Sequence, residues 1–126
     1  MGLKTLKRRA DFLRVRGGLR WATPSLVVEA KPRDRQNGNA DCAGARFGYT
    51  VSKKVGKAVI RNRTRRRLKA ATTELLGATR PELDYVIIAR PEAVNRSFAE
   101  LKADLAQAFA RIDRAAEGGK ARRAKS

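Results

Sequence analysis

Between residues 46 and 69 the chain switches from a two-residue hydrophobic period to a helical one, while carrying ten Lys or Arg and no Asp or Glu. The acid-free window is wider still, running from Asp41 to Glu74. Phe47, Tyr49 and Val51 alternate with Gly48, Thr50 and Ser52, the pattern of a half-buried strand. Beyond a turn at 53–56, Ile60, Thr64, Leu68, Ala71 and Leu75 recur at helical spacing as one narrow apolar stripe. The spacing predicts a strand, a tight basic turn, and a helix over about 57–76 with Gly77 as its C-terminal cap.

On that helix Lys57, Arg61, Arg65 and Lys69 stand four apart, and Asn62, Arg63 and Arg66 lie away from the stripe. A merely solvated helix interleaves Glu with Lys, whereas like charges at these spacings cost about 0.2–0.5 kcal/mol per pair. Cations near the helix start also oppose the macrodipole. Phosphates offset both penalties, so the stretch points to a nucleic-acid partner. Lys53, Lys54 and Lys57 surround Gly56, where free N–H groups at the helix start are placed to hold a phosphate as well.

The run Ser52-Lys53-Lys54-Val55-Gly56, the Arg61-Asn62-Arg63 box and the pair Arg65-Arg66 resemble the protein subunit of bacterial ribonuclease P. The matching motif spans 48–69, and a looser likeness extends from the 6–18 segment through Pro91.

Composition sets the outer bounds. A chain of 126 residues fits one domain. Its net charge of +18 asks for an anionic partner, either nucleic acid or a membrane surface. No apolar run approaches the length of a spanning helix and no signal-like segment follows Met1, which disfavours a membrane. A single cysteine, Cys42, suits a reducing cytosol, so the expected location is cytoplasmic. With no His, Cys42 lacks a catalytic base, and the 12 carboxylates are scattered rather than convergent. The chain is expected to bind RNA rather than cut it.

Before the basic stretch, Leu6, Leu13 and Ala10 are expected to share one face of a short helix over 8–16, ended by Gly17-Gly18, with Phe12 off that face. Two fates stay open to Phe12: a core aromatic, the commoner one for Phe, or a platform for stacking an unpaired base. Residues 25–30 read as a strand between Pro24 and Pro32, and 33–44, with Asn37-Gly38, as a long mobile hairpin connection. Later, 83–90 is too continuously apolar for an exposed edge and is expected to be central; Glu82 and Asp84 at its start read as turn residues. Ser97 and Glu100 form a capping box that opens a helix to about Ala116, with Phe98, Leu101, Leu105, Phe109 and Ile112 inward and Gly118-Gly119 as its stop. The expected organisation is one RNA-binding domain over 1–117 and a basic disordered tail over 118–126.

Helix, strand, strand, basic helix, strand, helix gives an α+β sandwich, helices packed on a small sheet in a single domain. The resemblance adds a left-handed βαβ crossover around the basic helix. It also implies a function: the non-catalytic protein subunit of an endoribonuclease, binding a catalytic RNA subunit and the 5′ leader of precursor tRNA during Mg²⁺-dependent removal of that leader. The RNA holds the Mg²⁺ and carries the chemistry. Lys53, Lys54, Lys57, Arg61, Asn62, Arg63, Arg65, Arg66 and Lys69 are then the RNA-binding set, and Phe12 lines the leader cleft. Arg16 stands where the family often places a second aromatic. Composition alone favours a different class, a structural RNA-binding protein of a ribosomal type.

Overall fold

The structure, a computed structural model, describes residues 4–6, 9–32 and 45–125; for 4, 11 and 117–125 it gives the backbone. In chain order the elements are β1 (Lys4–Thr5), α1 (Arg9–Val15), β2 (Leu19–Ala22), β3 (Leu26–Pro32), β4 (Arg46–Thr50), α2 (Ala58–Glu74), β5 (Leu83–Ala89) and α3 (Phe98–Lys125). The five strands form one sheet in the order β1-β4-β5-β3-β2. The α+β architecture expected from the sequence is thus present, with two short strands added.

The apolar run of β5 lies at the centre, parallel to β4 and antiparallel to β3. Since β4 and β5 are parallel neighbours joined through α2, the basic helix is the crossover of a βαβ unit. β5 separates β3 from β4, so these two are not a hairpin, contrary to expectation; the connection at 33–44, with Cys42, lies outside the described residues. The hairpin joins β2 to β3 instead, through a turn in which the Thr23 N–H donates to the Leu26 carbonyl at 2.8 Å.

Alternation along the strands sends two sets of side chains to opposite faces. Leu26, Val28 and Ala30 of β3, Phe47 of β4, and Tyr85 and Ile87 of β5 join Leu68 and Ala71 of α2 and Leu101, Leu105, Phe109 and Ile112 of α3 in the main core. Phe47 stacks on Tyr85 at 5.3 Å between ring centres, and Phe109 meets Tyr85 edge-on at 5.2 Å. On the other face Val86, Val15 and Leu6 form a smaller cluster with Phe12 and Ile88 against it. α1 and α2 therefore lie on opposite sides of the sheet.

Several helix boundaries and faces differ from expectation. α1 turns Phe12 and Val15 inward, while Ala10 and Leu13 are exposed, because its seven residues begin only at Arg9, so Leu6 lies outside the helix and joins Val15 and Val86 from the preceding segment. Gly17, at φ +85°, stops it as expected. Gly77 is not a left-handed cap: α2 closes at Leu75, whose N–H reaches the Ala71 and Thr72 carbonyls, and Gly77 sits in a short 3₁₀ turn, Leu76–Ala78. The Ser97–Glu100 capping box is present, with reciprocal bonds of 2.9 and 3.1 Å. α3 does not stop at Gly118-Gly119 but continues to Lys125. Each glycine costs about 1 kcal/mol there relative to Ala, and the Ala, Lys and Arg that surround them are good helix formers.

Candidate nucleic-acid interface

The basic surface begins at the turn after β4. The Val55 N–H donates to Ser52 at 3.0 Å and the Gly56 N–H to Lys53 at 3.2 Å, folding the chain back so that Lys53, Lys54 and Lys57 are all exposed. Gly56 has φ +154° and an added Cβ would lie 3.0 Å from Ile60 Cγ2, so glycine is required by conformation and space together. Lys57 is the N-cap of α2, with no side-chain cap and no acid in the first turn, which leaves the helix N–H groups facing solvent beside three ammonium groups.

Along α2 the buried stripe is Thr64, Leu68, Ala71 and Thr72, of which the first three were expected, together with Ile60 and Leu75. Thr64 is accommodated because its hydroxyl donates to the Ile60 carbonyl at 2.9 Å. Ile60 is instead at the surface and Leu75 half-buried. Asn62, Arg63, Arg66 and Lys69 are exposed, and Arg61 and Arg65 half-buried. Asn62 lies in the second turn, so it is no N-cap; its side-chain oxygen accepts from Arg65 at 3.1 Å, which leaves its amide NH₂ pointing outward as a directional donor. Lys69 sits over the Tyr49 ring, 5.9 Å from its centre, and burial pushes the Tyr49 phenol up to about 12. Arg67 is of a different kind: it donates to the carbonyls of Ala93 and Arg96, tying α2 to the 3₁₀ turn Pro91–Asn95. Its pKa is lowered by partial burial and by the nearby Arg63.

A cleft of about 580 Å³ lies on the opposite face of the sheet, between α1 and the strands. Phe12 and Arg16 both line it, with Leu13, Arg9, Glu29, Thr50, Val86 and Ile88. Phe12 is neither wholly core nor wholly free: one side packs on the small cluster and the other faces the cleft. Arg16 is exposed at the rim. Cations at the mouth and apolar surface inside suit an unpaired nucleotide strand, whose bases stack while its phosphates meet Arg9 and Arg16. Thr50, the last residue of β4, brings the cleft to within a few residues of the basic turn.

What holds α1 over the cleft could not be seen from sequence. Asp84 is fully buried on β5, accepts from Arg46 Nε at 3.0 Å and Nη2 at 2.6 Å, and accepts from Arg14 of α1. Arg14 also donates to the Pro32 carbonyl at 2.9 Å. Asp84 is thus an anchor for two elements, not a turn residue, while Glu82 is exposed and bonded to Arg80.

Comparison with known proteins decides the family. The ribonuclease P family profile matches residues 2–113. The chain belongs to the ribonuclease P protein family. The ribonuclease P protein component of Paramagnetospirillum magneticum is 46% identical over 112 residues, covering 87% of this chain and 83% of its own. That of Brucella suis is 42% identical over 120 residues, covering 93% and 85%. Among solved structures, the ribonuclease P protein of Staphylococcus aureus aligns with TM-score 0.70 at 25% identity, over 83% of this chain and 91% of that one. The Thermotoga maritima ribonuclease P protein aligns with TM-score 0.72 at 23% identity, over 86% and 96%, which supports the fold alone. This ribonuclease P protein is accordingly a component of tRNA processing, and the ribosomal alternative falls away. Among the described residues no helix is long and apolar enough to cross a membrane.

Proposed function

We propose that this ribonuclease P protein binds the catalytic RNA subunit through the basic turn and α2, and holds the 5′ leader of precursor tRNA in the cleft beneath α1, so assisting endonucleolytic removal of the leader in the cytoplasm. One observation carries this: the exposed cationic arc of α2 and the Phe12 cleft lie on opposite faces of one rigid sheet, so a single small domain touches two nucleic-acid segments at once. A merely electrostatic glue has no use for an apolar cleft with cations at its mouth.

Lys53, Lys54, Lys57, Arg61, Arg63, Arg65, Arg66 and Lys69 take phosphates of the RNA subunit, Asn62 supplies an oriented hydrogen bond, and Phe12 with Arg16 receives the leader. The protein's own side chains do not suit Mg²⁺: no three of His, Cys, Asp and Glu converge among the described residues, and the buried carboxylates Asp84 and Asp104 are taken by arginines. The reaction's Mg²⁺ is left to the RNA. The protein lessens repulsion between two polyanions and so lowers the bulk cation needed to join them.

The test is cleavage of precursor tRNA by the organism's own RNA subunit across a Mg²⁺ titration, with and without the full chain. Protein should raise turnover most at low Mg²⁺ and show no cleavage alone. Equal turnover with and without protein at every Mg²⁺ concentration would remove the assignment.

A further inference from the structure

Four large hydrophobic residues are exposed among the described residues: Leu13, Val59, Ile60 and Val94. Leu13 belongs to the leader cleft. Val59 and Ile60 are neighbours on the first turn of α2, and Ile60 and Val94 line a second groove of about 540 Å³, between α2 and the start of α3. Phe98 forms part of its wall and is half-buried; Ser97, whose oxygen accepts the Glu100 N–H, keeps a hydroxyl proton to donate, and Arg63 and Arg67 stand along one side.

The groove is continuous with the cationic arc. At 100° per residue, the exposed side of α2 runs from Arg61 through Arg65, Lys69, Asn62 and Arg66 to Arg63, which is where the groove opens. Arg67 is fastened to the Ala93 and Arg96 carbonyls, and Arg96 to Asp104 and Glu100, so the walls are built and rigid. Exposed Arg63 sits at the mouth, close enough to Arg67 to disfavour its charge. An apolar slot with an aromatic wall, a cation at its mouth and one hydroxyl donor matches a nucleotide: base within, phosphate on the guanidinium. Among the described residues nothing acidic lines it to repel that phosphate.

We infer that the groove between α2 and the 3₁₀ turn receives one unpaired base of the RNA subunit, held against Val94, Ile60 and Phe98 with its phosphate at Arg63. This rests on the proposed binding of that RNA by α2, and adds to it a site that reads RNA structure rather than charge. A base in this slot fixes the register of the helix on the RNA, which phosphate contacts alone do not.

The experiment uses the full chain and its own RNA subunit, comparing wild type, the double variant Ile60→Ser/Val94→Ser, and Val94→Trp, which fills the groove. Affinity is measured from low to high salt, base reactivity of the bound RNA by chemical probing, and folding by thermal melting. Both variants should bind roughly tenfold more weakly, the order expected for one lost base contact, with the salt slope unchanged because no phosphate contact is removed. One unpaired nucleotide, protected by wild type, should become reactive. Val94→Trp decides the matter if the double variant melts early. Wild-type affinity and protection in the variants, as expected if the groove serves a protein partner, would overturn the inference while leaving α2 as the RNA-binding helix. A loss with a smaller slope, or without new reactivity, would overturn it too. Failure of the wild-type chain to bind the RNA at all would bring down the proposed function and the groove together.

Discussion

Phe12 lies directly over Gly48: a Cβ on Gly48 would stand 2.5 Å from Phe12 Cε2 and 2.6 Å from Cζ. The aromatic that floors the cleft is therefore seated on bare backbone of β4, and the glycine is required by contact rather than by backbone conformation. Gly48→Ala should push Phe12 and α1 off the sheet, costing about 1–3 kcal/mol by overpacking. A lowered melting temperature with weaker binding of leader-bearing precursor tRNA is the expected pair of results; an unchanged melt would mean that α1 moves freely.

Truncating the aromatic itself separates leader recognition from assembly. Phe12→Ala removes the stacking surface, and affinity of the holoenzyme for precursor tRNA should fall by about 1–3 kcal/mol. Mature tRNA, which has no leader, should bind as before, and so should the RNA subunit, whose proposed contacts on α2 lie across the sheet. Because Phe12 also packs on the small cluster of Leu6, Val15 and Val86, the melt should drop, but by less than the ~3–5 kcal/mol typical of a fully buried Phe. Uniform loss of all three affinities, alongside a drop of that full size, would return Phe12 to the core.

Asp84 offers a sharper test of what holds α1. Asp84→Ala leaves the guanidiniums of Arg14 and Arg46, whose side chains are 19% and 12% exposed, without their shared carboxylate, and breaking such a pair costs about 3–5 kcal/mol. Asp84→Asn keeps an acceptor oxygen and should cost less. Urea unfolding of the two variants checks the order, and equal midpoints for Asn, Ala and wild type would show that the cluster is neutral to stability.

Local signals were legible and long-range ones were not. The period change after Ser52 located β4 and α2, the unbroken apolar run of β5 marked it as central, and Ser97 with Glu100 marked the start of α3. The role of Asp84 was hidden because its partners are 38 and 70 residues away, and an acid at a strand start looks the same whether solvated or buried. The misassigned β3–β4 hairpin has the same cause: β5, far downstream, inserts between strands that are consecutive in sequence. β1 and β2, of two and four residues, are too short to show a period. At the site, the cations of α2 announced themselves by number, whereas Glu29, Val86 and the Val94 groove are assembled by folding from segments with no common motif.

The cationic arc makes the most quantitative claim. Arg66 is exposed and Arg65 only half-buried, with one Arg65 nitrogen bonded to Asn62, so among the described residues both guanidiniums have donors to offer a phosphate. If each neutralises one, Arg65→Ala/Arg66→Ala should reduce the log–log salt slope of RNA-subunit binding by about 0.7–0.9 per lost contact. Affinity should fall most at low salt and converge with wild type as salt rises. Stability should hardly change, because neither side chain is in the buried stripe of Thr64, Leu68, Ala71 and Thr72 and their removal relieves like-charge repulsion along the helix. Binding titrations at four or more salt concentrations, with a melt of the same preparation, read both quantities. A slope identical to wild type would show that these arginines are merely solvated and that the phosphates lie elsewhere.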